Sequence, residues 1–320
     1  MKYFDYVILG AGLGGLSAAA CLSRQGYRVA VLEQHYLPGG CCHTFDYGDY
    51  SFCADVHYIY QCGQGQTVDQ FLNYIDRKVP FNSLDPDCID RVITPEVDFR
   101  IPLGWENLRD RLLSTFPEEA KAINRYCDEI KRLHQEVVDL GADIHWYESK
   151  WSDWLKLPKY WHLFSRRMQT LQDLYDQVGL SPKLQDLLAG QSGDYALPPK
   201  DIALLVHTSL VSDYAEGAYY PQHHFRHLVN TVVESITAQD GVVQLSTPVT
   251  HIEVQDRAVQ FVTAGGEFYQ AGQAYISDLD PKRTVALMHC EAALRHQERP
   301  RLTDYDYSES AFNINHGLDS

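Results

Sequence analysis

The hexapeptide Gly10-Ala11-Gly12-Leu13-Gly14-Gly15 follows directly on the apolar run Tyr3-Phe4-Asp5-Tyr6-Val7-Ile8-Leu9. An acid, Glu33, closes a second apolar run about 20 residues later. These residue types at this spacing make a cradle for a dinucleotide. Gly10 lets the chain turn sharply out of a strand, Gly12 lets backbone approach a pyrophosphate, and Gly15 lets the next helix pack close to the sheet, with Gly14 in the same turn. The helix aims its free N–H groups at the phosphates. A carboxylate at Glu33 accepts both hydroxyls of an adenosine ribose and repels a 2′-phosphate, so an adenine cofactor without that phosphate is expected.

The elements that must hold this cradle are legible around it. Leu16, Ala19, Ala20 and Leu22 keep helical spacing, Gly26 ends the helix, and Arg28-Val29-Ala30-Val31-Leu32 is a second strand. Beyond a Gly39-Gly40 loop come short β segments, including Tyr50 to Tyr60, and from residue 66 to 218 the pattern turns mainly helical. Thr115 with Glu118 reads as a capping box opening a long helix, whose buried face is Ile123, Tyr126, Cys127, Ile130, Leu133, Val137 and Leu140. From 219 the α/β pattern returns: a helix near Phe225 to Thr237, strands at Val242–Leu245, Val249–Val254 and Val259–Val262, a Gly265-Gly266 turn, and a strand at Ala274–Ser277 before a helix after Pro281. The expected fold class is α/β, a Rossmann-like FAD/NAD(P)-binding domain with an inserted, mainly helical substrate domain. Residues 1–65 and 219–290 form the first, and 66–218 with 291–320 form an incomplete second.

Bulk properties narrow the partners. A formal charge of −16 over 320 residues argues against a nucleic-acid surface, which needs clustered Lys and Arg. The 8 cysteines include the adjacent Cys41-Cys42 but no C-x-x-C pair, and no basic-then-apolar leader precedes the first strand, so a reducing, cytoplasmic location is expected. His207, His223, His224 and His227 lack a Cys or carboxylate framework at ligand spacing, and no metal site is expected. Ile202 to Val211 is about half the roughly 20 apolar residues of a membrane span. A different membrane relation comes from Trp146, Trp151, Trp154 and Trp161, which cluster with Tyr147, Tyr160 and Phe164. Between His145 and Thr170 the basic residues Lys150, Lys156, Lys159, Arg166 and Arg167 face only two acids, Glu148 and Asp153. Two readings stand: a peripheral contact with a membrane interface, or the cap of a domain core.

Several motifs together resemble the flavin-dependent amine oxidase and phytoene desaturase superfamily, and most of all its retinol saturase and carotenoid isomerase branch. They are the opening VILGAGLGGLSAAACLSRQGYRVAVLEQH, the loop Leu37-Pro38-Gly39-Gly40-Cys41-Cys42-His43-Thr44-Phe45, the segment Val56-His57-Tyr58-Ile59, Gly217-Ala218-Tyr219-Tyr220-Pro221, and Ser277-Asp278 before a helix. The resemblance implies extended FAD, with Gly10, Gly12 and Gly15 at the pyrophosphate and Glu33 and Gln34 at the ribose end. It implies Gly39, Gly40, Cys41 and His43 along the flavin side, and backbone at Val249 near the adenine. An apolar polyene would lie under the helical domain against the flavin, which carries the chemistry while the protein supplies position and field. His57 matches a family position and is the one candidate acid or pocket contact, beside its reading as a structural histidine.

The chain also departs from that family. Its usual Tyr-Pro-x-Gly-Gly is here Tyr220-Pro221-Gln222-His223-His224, which puts two bulky residues where glycine allows close approach or positive φ. Asp55 stands where the branch carries glycine, and nothing after Tyr307 resembles the family's late glycine-rich segment. The resemblance therefore leaves open a truncated gene product, a chain needing a separate C-terminal half, and a degenerate copy. The expected activity is desaturation, saturation or isomerisation of a carotenoid- or retinoid-like polyene. The alternatives are a non-redox isoprenoid binder or inactive remnant on the same fold, and a flavin amine oxidase of polar substrates.

Overall fold

The computed structural model describes residues 1–143, 151–256 and 258–288, together with Tyr305 and Tyr307. Trp146, Tyr147, Glu148, Lys150 and the 291–320 stretch, but for the two tyrosines, lie outside the described residues.

Strand β1 (Lys2–Leu9), helix α1 (Leu13–Arg24) and strand β2 (Val29–Leu32) open the chain, and the two strands pair in parallel with Tyr6 opposite Val29. Val29 to Leu32 is buried at every position, as a parallel strand covered on both faces requires. A hairpin of β3 (Thr44–Tyr47) and β4 (Tyr50–Cys53), helix α2 (Thr67–Tyr74), strand β5 (Phe81–Ser83) and a second hairpin of β6 (Asp90–Ile93) and β7 (Asp98–Ile101) follow. The helical segment comprises α3 (Trp105–Thr115), α4 (Ala120–Asp143), α5 (Trp161–Arg166), α6 (Leu171–Val178), α7 (Pro182–Leu188) and α8 (Leu204–Glu216). Strand β8 (Tyr219–Pro221), helix α9 (His224–Thr237), strands β9 (Val242–Gln244), β10 (Val249–Gln255), β11 (Ala258–Ala264) and β12 (Glu267–Ser277), and helix α10 (Pro281–Leu287) complete the order.

The main sheet runs β10-β11-β12-β1-β2-β9. Its central strand is β1, which pairs in parallel with β2 on one side and β12 on the other. Side chains of a strand alternate between faces. Ile8 therefore joins α1 and α9 in a cluster with Leu16, Ala19, Phe225, Val229 and Val232, while Val7 and Leu9 join Ile252, Val262 and Tyr269 on the opposite face. Leu72, Ile75 and Val79 also pack into the α1–α9 cluster.

A third cluster belongs to the helical segment. Ile123, Tyr126, Cys127, Ile130 and Leu133 form the buried stripe of α4 against Leu171, Leu174, Tyr175, Leu184 and Leu204. Its start is not the expected capping box. Thr115 ends α3, and its hydroxyl donates to the Arg111 carbonyl at 2.7 Å. Pro117 opens a short 3₁₀ turn between the two helices, which displaces the chain before α4 begins. The reciprocal box lies at α6, where the Thr170 N–H donates to Asp173 at 2.8 Å and the Asp173 N–H to the Thr170 hydroxyl at 3.2 Å. His207 is fully buried in α8 between the hydroxyls of Tyr126 (3.1 Å) and Tyr195 (3.0 Å). No helix among the described residues is long and apolar enough to cross a membrane.

Candidate dinucleotide-binding site

The cradle forms where β1 turns into α1. Gly10 has φ +99° and its N–H donates to the Leu32 carbonyl at 2.9 Å, tying the turn to β2. Gly12 is the N-cap of α1, has no side chain to satisfy the first N–H groups, and no acid occupies the first turn. Those donors and the positive end of the helix dipole are thus left for an anion. At Gly15 the helix comes so close that an added Cβ would overlap the Gly10 carbonyl oxygen. The backbone of the 39–43 loop then closes one side: the Gly39 N–H donates to the Ala11 carbonyl at 2.7 Å, and a Cβ on Gly40 would sit 3.1 Å from the Gly12 Cα. Gly39 and Gly40 reach this course through φ of +115° and +58°.

Glu33 is held by the same turn. One carboxylate oxygen accepts the Ala11 N–H at 2.7 Å and the other the His35 N–H at 2.8 Å. Each oxygen retains acceptor capacity for a further donor, so ribose hydroxyls fit this group. The Thr247 N–H donates to the Glu33 carbonyl at 2.7 Å and brings the start of β10, with half-buried Val249, to the Glu33 end of the cradle. Gln34 is exposed and accepts from the Arg283 guanidinium of α10 at 2.9 Å.

Along the other arm, His43 has Nδ1 2.7 Å from the Gly40 carbonyl and its ring 5.0 Å from that of His35. Burial, with the Asp55 carboxylate behind it, raises the Cys41 thiol. Cys42 is buried and pushed up to about 12 by burial, with Cys53 next in effect. Neither thiol is poised as a thiolate nucleophile, and the loop lends shape rather than cysteine chemistry. His57 is exposed on the segment leading to the Ile59–Tyr219 bridge.

His223 and His224 adopt φ of +65° and +66°, the left-handed conformation that a glycine pair takes without strain. Two histidines thus carry a backbone shape that suits glycine. The His224 ring is held by the Tyr220 hydroxyl at 3.1 Å, and the His223 and His227 rings stand edge to face at 5.9 Å. Among the described residues no group of three His, Cys, Asp or Glu side chains is arranged to hold a metal ion.

The sequence assigns no role at the cradle to two groups here. Arg226, in the first turn of α9, donates from its backbone to the Thr44 hydroxyl at 3.0 Å and from its guanidinium to Asp46 at 2.8 Å, which clamps the β3–β4 hairpin to α9. Asp278, just past β12, lays its carboxylate across the glycine turn: a Cβ on Gly12 would lie 2.7 Å from one oxygen and a Cβ on Gly14 2.6 Å from the other. A single anionic group thus already rests on the seat that the glycines open.

A parallel strand–glycine turn–helix–strand unit ending in a backbone-held acid defines a fold of the Rossmann-like class, and residues 8–75 match the family model for an NAD(P)-binding Rossmann-like domain. The chain is similar to the all-trans-retinol 13,14-reductase of Danio rerio, 28% identical over 263 residues that cover 79% of this chain and 43% of that protein. It is also similar to the all-trans-zeta-carotene desaturase of Myxococcus xanthus, 24% identical with 98% and 60% covered. The solved structure of an oxidoreductase from Methanosarcina mazei shares the fold with a TM-score of 0.64, at 18% identity, over 95% of this chain and 64% of that one. These likenesses support a place for the chain in the FAD-dependent oxidoreductase superfamily. The chain spans less than half the length of the retinol reductase it matches.

Proposed function

We propose that this chain binds FAD in extended form, with the pyrophosphate over Gly10, Gly12, Gly14 and Gly15 and the adenosine ribose at Glu33, and that it acts in hydride exchange with a carotenoid- or retinoid-like polyene. The observation that carries the reading is the pair of N–H bonds from Ala11 and His35 to Glu33, which fix a carboxylate beside an uncapped helix N-terminus. Bound flavin would supply the hydride acceptor or donor. The chain's own residues bind and orient: Gly39 and Gly40 bring His43 and Cys41 alongside, and Arg226 holds the hairpin in place. His57 is the proposed acid or pocket contact on the approach from the helical segment.

The visible spectrum of the purified chain during FAD titration tests this. A resolved, red-shifted flavin band that Gly12→Val abolishes is the expected result. A folded chain that leaves the FAD spectrum unchanged refutes it. His223 and His224 favour a second reading, a non-redox isoprenoid binder on the same fold, since side chains occupy a turn that glycines would leave open. That reading expects retention of a fluorescent isoprenoid without any flavin signal.

The reading extends to a peripheral membrane contact. Trp151, Trp154 and Trp161 are 79%, 55% and 75% exposed, while Tyr160 and Leu163 between and after them point into the core. The basic residues are otherwise engaged: Lys156 donates to the Asp143 carbonyl at 2.7 Å and Lys159 to its carboxylate at 3.1 Å, closing the C-terminus of α4. The indoles rather than the cations are assigned to the headgroup level. Trp151→Ala with Trp161→Ala is expected to abolish co-sedimentation with phosphatidylcholine vesicles, and undiminished pelleting would refute the contact.

A further inference from the structure

The register of β12 on β1 sets Ser277 opposite Leu9, so the chain leaves β12 directly over the mouth of the cradle. The Asp278 N–H donates to the Leu9 carbonyl at 2.8 Å and fixes the backbone there. Leu279 follows against the turn, its Cδ2 3.3 Å from where a Cβ on Gly10 would be. The Asp280 carboxylate then caps α10 through the Arg283 N–H at 2.9 Å, and the Arg283 guanidinium reaches Gln34. Residues 278–283 therefore form a strap from the phosphate end of the cradle to its ribose end.

We propose that Asp278 is an internal stand-in for the cofactor's pyrophosphate, a movable anion on the glycine turn that sets dinucleotide affinity. Its two oxygens fill the space that Cβ atoms on Gly12 and Gly14 would take, at the positive end of α1 where the diphosphate would rest. Two anions do not share that seat, since unit charges a few ångströms apart repel strongly near a protein surface. Asp278 is exposed, and rotation about its Cα–Cβ bond clears the seat while its backbone stays tied to Leu9. The carboxylate thus occupies the ground in front of the α1 N-terminus and raises the threshold for any diphosphate ligand.

This inference rests on the cradle being a dinucleotide site, and the test separates the two. Asp278→Asn keeps the shape and removes the charge; Asp278→Ala removes both. Binding of FAD, followed by quenching of its fluorescence, and of ADP-ribose, followed by calorimetry, is measured for the full chain at low and high salt. Both variants are expected to bind both ligands at least tenfold more tightly than the parent at low salt, with the ratio shrinking as salt screens the repulsion. Tighter binding of ADP-ribose alone upholds the inference and overturns the FAD reading. Equal affinities across parent and variants leave FAD in place and overturn the role of Asp278. Weaker binding by Asp278→Asn also overturns it, since the carboxylate would then be a ligand. Failure of both ligands to bind any of the three proteins overturns cradle and stand-in together.

Discussion

Replacing Glu33 by alanine removes two things at once, and the structure lets each be sized. The Ala11 N–H that it accepts belongs to a fully buried residue, and leaving that donor unpartnered costs roughly 1–3 kcal/mol of folding stability. In the FAD complex the same carboxylate would also lose two ribose hydroxyls, each worth about 1.5–3 kcal/mol to a charged acceptor. Together these weaken FAD by a factor on the order of 10²–10⁴. Glu33→Gln divides the effects: its amide oxygen can serve Ala11 or His35, but its NH₂ then faces the other backbone N–H, donor against donor. It is expected to fall between wild type and alanine in both stability and affinity. Urea unfolding gives the first quantity and fluorescence quenching of FAD the second. An alanine variant that folds and binds FAD as tightly as wild type would refute the assignment of Glu33 to the ribose.

Gly15→Ala forces a methyl group into the Gly10 carbonyl and is expected to cost about 1–3 kcal/mol through overpacking, seen as a lower melting temperature; an unchanged value contradicts the close approach of α1 to the turn. His223→Gly and His224→Gly each release a left-handed residue worth about 1–2 kcal/mol, partly offset by glycine's greater unfolded-state freedom, so the urea midpoint should rise; a fall would mean that the Tyr220–His224 bond outweighs the strain. Burial lowers His207 from 6.5 to about 4, which keeps it neutral in the fold while the unfolded chain takes up a proton. Its contribution is therefore complete above pH 6.5 and is lost as pH falls toward 4, about 3 kcal/mol in all. His207→Gln should flatten stability over that window, and an identical pH slope in the two proteins would show that the histidine is not the group responsible.

The cradle was legible because it is local. Strand, glycines, helix, strand and Glu33 lie within 33 residues, and each residue type is demanded by the turn it occupies. Departure from the glycine pair at His223-His224 was equally legible, and the positive φ at both positions is what the missing glycines imply. Asp278 was not legible as a group on the cradle, because its place depends on the pairing of β12 with β1, a contact across almost the whole described chain. Arg226 escaped for the same reason: its partners Thr44 and Asp46 are about 180 residues away. Thr115 misled because the box pattern is blind to what precedes it; the residue was already committed to the last turn of α3. The tryptophan stretch announced its composition but not its direction, since the same sequence sends Tyr160 inward and Trp161 outward.

The order of the main sheet has a consequence in time as well as space. Strand β1 is made first and lies at the centre, yet its neighbour β12 ends at Ser277. At roughly 5–20 residues per second of synthesis, the opening strand waits on the order of a quarter of a minute to a minute for that edge to be filled. The helical segment, whose contacts are more local, is complete well before then. During the interval Val7, Ile8 and Leu9 form an apolar, hydrogen-bond-hungry edge on the nascent chain. Slow translation past residue 216, or too little chaperone, should therefore show first as aggregation driven by the N-terminal strand.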